Sequence, residues 1–230
     1  MKKPTKHELV RELESNITAD DYIAPTHWTD IPTGCIVDVM AYVRKLKTSS
    51  MNTFGDLCNQ LLIMILGICK NASRIDFVFD SYIEGSVKDN ERLRRSQKPP
   101  VLYSNITQAS KLPKDMDSFW PSAANKVKLE QVIKGWLINH FIEESIDVHI
   151  VLSKIMGEES STATQSIRNG IISQHPDLDS DHEEADIRII PHALHAVRSN
   201  CKRVVILSSD TDVFVVAMHF YHFFYSKWTQ

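Results

Sequence analysis

Six carboxylates stand where the chain otherwise places apolar side chains or opens a helix: Asp38, Asp80, Glu184, Asp186, Asp210 and Asp212. Asp38 interrupts CIVDVM, Asp80 ends RIDFVFD, and Asp210 and Asp212 break the apolar run VVILSSDTDVFVV. Glu184 and Asp186 belong to HEEAD, 182–186. An acid at the end of a buried strand costs free energy unless a cap or a cation compensates it. Several acids gathered within a few ångströms raise one another's pKa, and a hard divalent ion with oxygen ligands relieves that repulsion. Mg²⁺ or Mn²⁺ suits such a donor set better than zinc does. Two such ions, roughly 4 Å apart, are the arrangement used for phosphodiester hydrolysis, one lowering the pKa of the attacking water and one stabilising the leaving oxygen.

The elements that would position these acids are legible as hydrophobic patterns. Apolar runs at 35–40, 74–80, 147–153 and 203–210 read as strands. Helical patterns cover 53–70, 122–141, 182–200 and the stretch after Asp212. Residues 86–98 are polar and helix-prone, and 99–121 read as loop. Strands alternating with helices, with apolar strand interiors, predict an α/β fold of three layers, helix–sheet–helix, around a central mainly parallel sheet. In such a sheet ligands bind outside the carboxyl ends of the strands, where Asp38, Asp80 and Asp210 would lie. Residues 1–33 read as an N-terminal arm with one short helix, HELVRELE, and 34–230 as a single domain. Residues 153–182, rich in Ser and Asp, read as an insertion or loop.

The 230 residues are 43% hydrophobic and 24% charged, with net charge −3. No global basic field draws the chain to nucleic acid or to a lipid surface, so any such attraction has to be local. The four cysteines, at 35, 58, 69 and 201, show no metal or disulfide spacing and predict buried reduced thiols in an intracellular protein of the nucleus or cytoplasm. The longest apolar run, LLIMILGIC, is far short of the roughly 20 residues of a membrane span, so no membrane partner is expected. The N-terminus carries no apolar stretch of signal-peptide type.

In this order, IVDVMAYV, FVFDSY, HEEAD and LSSDTDVFV resemble the acidic motifs of the PIN-like nucleases, in particular their flap-endonuclease (XPG-type) branch. The chain also resembles uncharacterised, mobile-element-related invertebrate proteins. The first resemblance covers about 35–217 and implies a PIN-like nuclease domain. Asp38, Asp80, Glu184, Asp186, Asp210 and Asp212 would then be both catalytic and metal-binding, holding two Mg²⁺ or Mn²⁺ ions. It further implies that Lys88, Arg92 and Arg95, which share one helix face, bind substrate phosphate, a role for which arginine forks are suited. The implied partner is nucleic acid, DNA before RNA, cut according to structure rather than sequence. Lys126 and Lys128 would extend the basic track. The family carries a further acid and a duplex-gripping helical element downstream, so the chain reads as truncated. Pro191 inside 184–199 is expected to bend that helix.

Other readings compete. A catalytically inactive nucleic-acid-binding or protein-interaction module would keep the fold and lose the metal. A dehalogenase-type phosphatase would need a core that does not fit after Asp210, and a sugar-nucleotide transferase would leave Asp38 and Asp80 without a role. Asp212 is a candidate cap for the last helix, and Ser180-x-x-Glu183 matches a capping box. The pairs His192/His195 and His219/His222 have zinc-compatible spacing, but they read as core or surface histidines in the absence of a third ligand in sequence.

Overall fold

The computed structural model describes residues 11, 15, 31–82, 94, 99–155, 163–180, 182 and 185–228, with side chains as far as 220. The expected helix HELVRELE and the helix-prone stretch 86–98 lie outside the described residues, apart from isolated positions.

The first strand, β1 (Thr33–Asp38), is buried along its whole length. A short helix α1 (Val39–Val43) follows directly, then α2 (Phe54–Ile68) and β2 (Arg74–Val78). The long helix α3 (Ala123–Glu144) leads to β3 (His149–Leu152). Two short strands come next, β4 (Gln165–Arg168) and β5 (Ile171–Gln174). Helix α4 (Ala185–Arg198), strand β6 (Arg203–Leu207) and helix α5 (Thr211–Trp228) complete the order.

The six strands form one mixed sheet in the order β5-β4-β3-β2-β1-β6. β6, β1, β2 and β3 are parallel neighbours, while β4 and β5 add an antiparallel hairpin at the far edge. That hairpin lies inside 153–182, which the sequence reading treats as a loop. Its turn is Asn169-Gly170, both at positive φ (50° and 75°), as a two-residue turn of the primed type requires.

Helices flank the sheet on both faces, and the period-2 alternation of the strands sorts the core accordingly. Cys35, Val37, Ile75, Phe77, Ile150 and Leu152 pack with Leu57, Leu61 and Ile65 of α2 and Leu129, Ile133 and Leu137 of α3. On the opposite face Ile36 and Val78 pack with Ala185, Ile189, Ala193 and Ala196 of α4 and Val213 of α5. Gly34 allows that second layer to come close: a Cβ there would lie 3.2 Å from Cys201 Sγ and 3.3 Å from Ala196 Cβ. α2 begins with a reciprocal cap, in which Thr53 Oγ1 accepts from the Asp56 N–H and Asp56 Oδ2 accepts from the Thr53 N–H. α4 runs through Pro191 as one helix. All four cysteines are buried and free. Among the described residues no helix is long and apolar enough to cross a membrane.

Candidate metal centre

The parallel topology brings the strand-end acids to one edge. Asp38 is the last residue of β1 and the N-cap of α1. Its Oδ1 accepts from the Ala41 N–H at 3.0 Å, and its Oδ2 accepts from Ser208 Oγ at 2.9 Å. Burial raises its pKa, Asp80 and Asp210 push the same way, and the two hydrogen bonds pull it back. Asp80 stands two residues beyond β2. Its Oδ1 accepts from the Ala185 N–H at 2.9 Å and its Oδ2 from the Tyr82 hydroxyl at 2.6 Å. Asp80 thus caps the first turn of α4 from a distant part of the chain. α4 starts at Ala185 rather than within the Ser180–Glu183 box; Ser180 Oγ instead accepts from the His182 N–H, and Glu183 lies outside the described residues. At α5 the capping acid is Asp210, whose Oδ1 accepts from the Asp212 N–H at 2.9 Å; Asp212 itself sits in the first turn. Ser208 joins two of these groups, donating to Asp38 and accepting from the Asp210 N–H at 3.1 Å.

Asp38, Asp80, Asp186, Asp210 and Asp212 line one cleft of about 450 Å³, together with Arg44, Tyr82 and the start of α5. Five of the six acids singled out in the sequence are therefore brought together. Glu184, Lys88, Arg92 and Arg95 lie outside the described residues. The donor set is all oxygen, which fits a hard divalent cation and its waters. Among the described residues no three cleft carboxylates bring ligand atoms within 4.8 Å of one another. The acids line an open cleft rather than a closed cage.

A layer of buried charge backs the cleft. Lys126, Glu130 and Lys134 of α3 and Arg188 of α4 are each at most 1% exposed. Lys126 therefore does not extend a surface basic track: its Nζ lies 4.4 Å over the Tyr82 ring. Lys128 Nζ donates to the Tyr103 carbonyl at 2.6 Å. Arg188 donates to Phe79 O, Ser81 Oγ and Lys154 O, holding the residues on either side of Asp80. Burial, and then Asp80, push the Glu130 carboxyl well above its ordinary range. Among the described residues neither of its oxygens makes a hydrogen bond of ordinary geometry, although the nearby Asp80 N–H pulls its pKa back slightly. The sequence carried a signal for this layer. Positions 126, 130 and 134, spaced by four, adjoin the apolar positions 129, 133 and 137 and share their helix face.

No family model, curated protein or solved structure matches this chain. The chemistry of the cleft thus rests on its own residues.

A second polar cluster occupies the opposite end of the sheet, where β2 and β3 begin. Arg74 and Asp76, both buried, form a two-point pair at 2.6 and 2.7 Å, and His192 Nδ1 lies 2.8 Å from Asp76 Oδ2. Nearby, His175, Asp177 and His195 bring one ligand atom each within 4.8 Å of one another, and these donor types suit zinc. Ser166 Oγ, 2.9 Å from His175 Nε2, supplies the outer partner a ligating histidine needs. His195 is oriented against that role. Its Nδ1 lies 2.8 Å from Arg74 Nη1, which is always protonated and can only donate. Neutral His195 therefore carries its proton on Nε2, the atom that faces Asp177 at 3.7 Å. Burial, followed by Arg74, lowers its pKa and keeps it neutral. The trio ties the segment before α4 to that helix, and in this tautomer His195 offers no lone pair on Nε2, which leaves His175 and Asp177 as the trio's donors. His192, for which the sequence left core or surface open, is a core histidine.

Proposed function

We propose that this chain is a divalent-cation-dependent nuclease domain of PIN-like type that hydrolyses phosphodiester bonds of nucleic acid. The observation that carries the reading is the convergence of Asp38, Asp80, Asp186, Asp210 and Asp212, from separate segments, on one cleft at the carboxyl ends of parallel strands. These acids, with Glu184, would hold Mg²⁺ or Mn²⁺, with two ions as the full complement. Bound there, the cations supply Lewis acidity to water and to a phosphate oxygen. The chain's own part is orientation. Ser208, Ala41, Ala185 and Tyr82 fix the rotamers of Asp38 and Asp80, so that the remaining lone pairs are set before a ligand arrives. Lys88, Arg92 and Arg95 are the proposed phosphate contacts beyond the acids. The substrate is DNA before RNA, and the buried free thiols favour an intracellular setting.

A second reading is a catalytically inactive module on the same fold. It is favoured by the hydrogen bonds already made by both oxygens of Asp38 and of Asp80, and by the cations Lys126 and Arg188 behind them. A Mn²⁺ titration by calorimetry, on wild type and Asp210→Asn, separates the two when run beside cleavage of a labelled flap and a labelled single strand. Micromolar binding that the substitution abolishes, together with metal-dependent cutting, is the expected result. Asn caps as well as Asp does, so the variant keeps its fold. Absence of metal binding in the wild type would overturn the catalytic reading.

A further inference from the structure

The cleft has one wall of opposite sign. Arg44 lines it with five carboxylates, yet among the described residues its guanidinium makes no ion pair. It lies over the Trp120 ring, 5.6 Å from the centroid, and Arg44 itself is exposed. Stacking on a half-buried indole holds a guanidinium in place while leaving its donor edge unused. α1 fixes its distance from the acids. Asp38 caps this helix at one end and Arg44 closes it at the other, six residues away, a rise of about 9 Å at helical spacing. Lys45 and Lys47 follow in sequence and are exposed, and Lys45 Nζ lies 4.3 Å over the Tyr42 ring. Three exposed cations thus fall within four residues at the end of α1, the first of them in the wall of the acidic cleft and two of them seated on aromatic rings.

Resting on the nuclease reading of the cleft, we propose that Arg44, supported by Trp120 and continued by Lys45 and Lys47, is a phosphate-binding rim. It takes the backbone of a polynucleotide next to the bond held at the acids. The substrate class is a chain of phosphodiesters rather than a mononucleotide, because cations strung along a rim reward successive phosphates. A lone nucleotide offers no second phosphodiester for Lys45 and Lys47. Arg44 is a binding residue in this account, while the acids carry the metal.

The test measures binding of a fluorescent 20-nucleotide single strand by anisotropy across a salt series, with Ca²⁺ present, for wild type, Arg44→Ala and Arg44→Lys. Mn²⁺ calorimetry runs on the same proteins. Each phosphate contact on a single strand contributes about 0.7 to the slope of log affinity against log salt. Arg44→Ala is expected to lower that slope by about 0.7 and to weaken binding roughly tenfold at low salt. Arg44→Lys should keep most of the slope, since it keeps the charge. Mn²⁺ binding should be retained in both. A mononucleotide should bind wild type more weakly than the 20-nucleotide strand does. An Arg44→Ala slope equal to that of wild type would overturn the rim while leaving the metal centre standing. Wild type that binds Mn²⁺ but no oligonucleotide would overturn it too. Wild type that binds neither would overturn the rim together with the reading of the cleft.

Discussion

Asp80 is the residue at which a cap and a metal ligand can be told apart, because two substitutions remove different parts of what it does. Asp80→Ala deletes both acceptors: Oδ1, which takes the Ala185 N–H at 2.9 Å, and Oδ2, which takes the Tyr82 hydroxyl at 2.6 Å. Loss of a helix cap costs about 0.5–2 kcal/mol. Loss of a hydrogen bond to a charged group costs about 1.5–3 kcal/mol. Tyr82 is buried, so water does not readily replace the missing acceptor. The sum predicts that Asp80→Ala destabilises the metal-free protein by about 2–5 kcal/mol. Asp80→Asn keeps an oxygen for Ala185 and a polar partner for Tyr82, and removes only the charge. Its expected cost is within about 1 kcal/mol. Both should lose Mn²⁺ binding. Urea unfolding in chelator measures the first pair of numbers, and calorimetry the second. Equal destabilisation by Ala and Asn, or a loss below about 1 kcal/mol for Ala, would refute the claim that Asp80 anchors α4. Retention of full Mn²⁺ affinity by Asn would refute its role as a ligand.

Two further substitutions probe the buried charges. Asp76→Asn leaves the Arg74 guanidinium buried without its counter-charge and should cost about 3–5 kcal/mol by urea unfolding at pH 7. Burial raises the Asp76 carboxyl, but the bonds from Arg74 and His192 outweigh it and hold the carboxyl below its usual range. Its contribution is therefore complete above the unfolded pKa of about 3.9 and is lost as pH falls through the lower folded value, so the gap between wild type and variant should narrow in acid. Lys134 is the opposite case: burial lowers its pKa from 10.5 to about 7. Between those values the unfolded chain binds more protons, so stability rises with pH, by up to about 1.4 kcal/mol per unit. Lys134→Met should flatten that slope in unfolding curves from pH 7 to 10, and an unchanged slope would assign it to another group.

The parallel part of the sheet was legible because its strands are mostly apolar runs, and those of β1, β2 and β6 lead into an acid; CIVD, RIDFV and RVVIL announce themselves as strands, the first two buried and the last half-buried. The hairpin β4–β5 was not. Each of its strands is four residues long, and all of β5 is exposed. Such a strand has no buried side to impose alternation, and Ser and Gln make up half of it, as they do of β4. The signal it did carry was the turn: Asn-Gly between QSIR and IISQ is the strongest short-range mark of a hairpin. The charged layer of α3 was missed for a different reason. Lys126, Glu130 and Lys134 are types that a hydropathy pattern assigns to water, and only their shared face with Leu129, Ile133 and Leu137 places them inside. Arg44 was passed over because a single arginine beside lysines reads as a solvated helix end.

The choice between capping and ligation, posed by the strand-end acids, is not exclusive. An ionised carboxylate has about four lone-pair sites. Asp38 uses one on each oxygen for Ala41 and Ser208, and Asp80 one on each for Ala185 and Tyr82. Each keeps sites for a further ligand. The hydrogen bonds also help to keep Asp38 ionised: burial and the neighbouring acids drive its pKa up, and the Ala41 N–H and Ser208 hydroxyl are the groups that oppose them. A strand-end acid left without a cap in this cleft would be both misdirected and more readily protonated, and a protonated carboxyl is a poor ligand for a hard cation. Capping is thus the means by which this fold can aim a carboxylate and keep it charged, as the proposed cation requires. The separation of the acids into an open cleft, with no close trio among the described residues, follows from the same anchoring. Each acid is tied to a different helix start, Asp38 to α1, Asp80 to α4 and Asp210 to α5, so their spacing is set by helix packing rather than by their mutual repulsion.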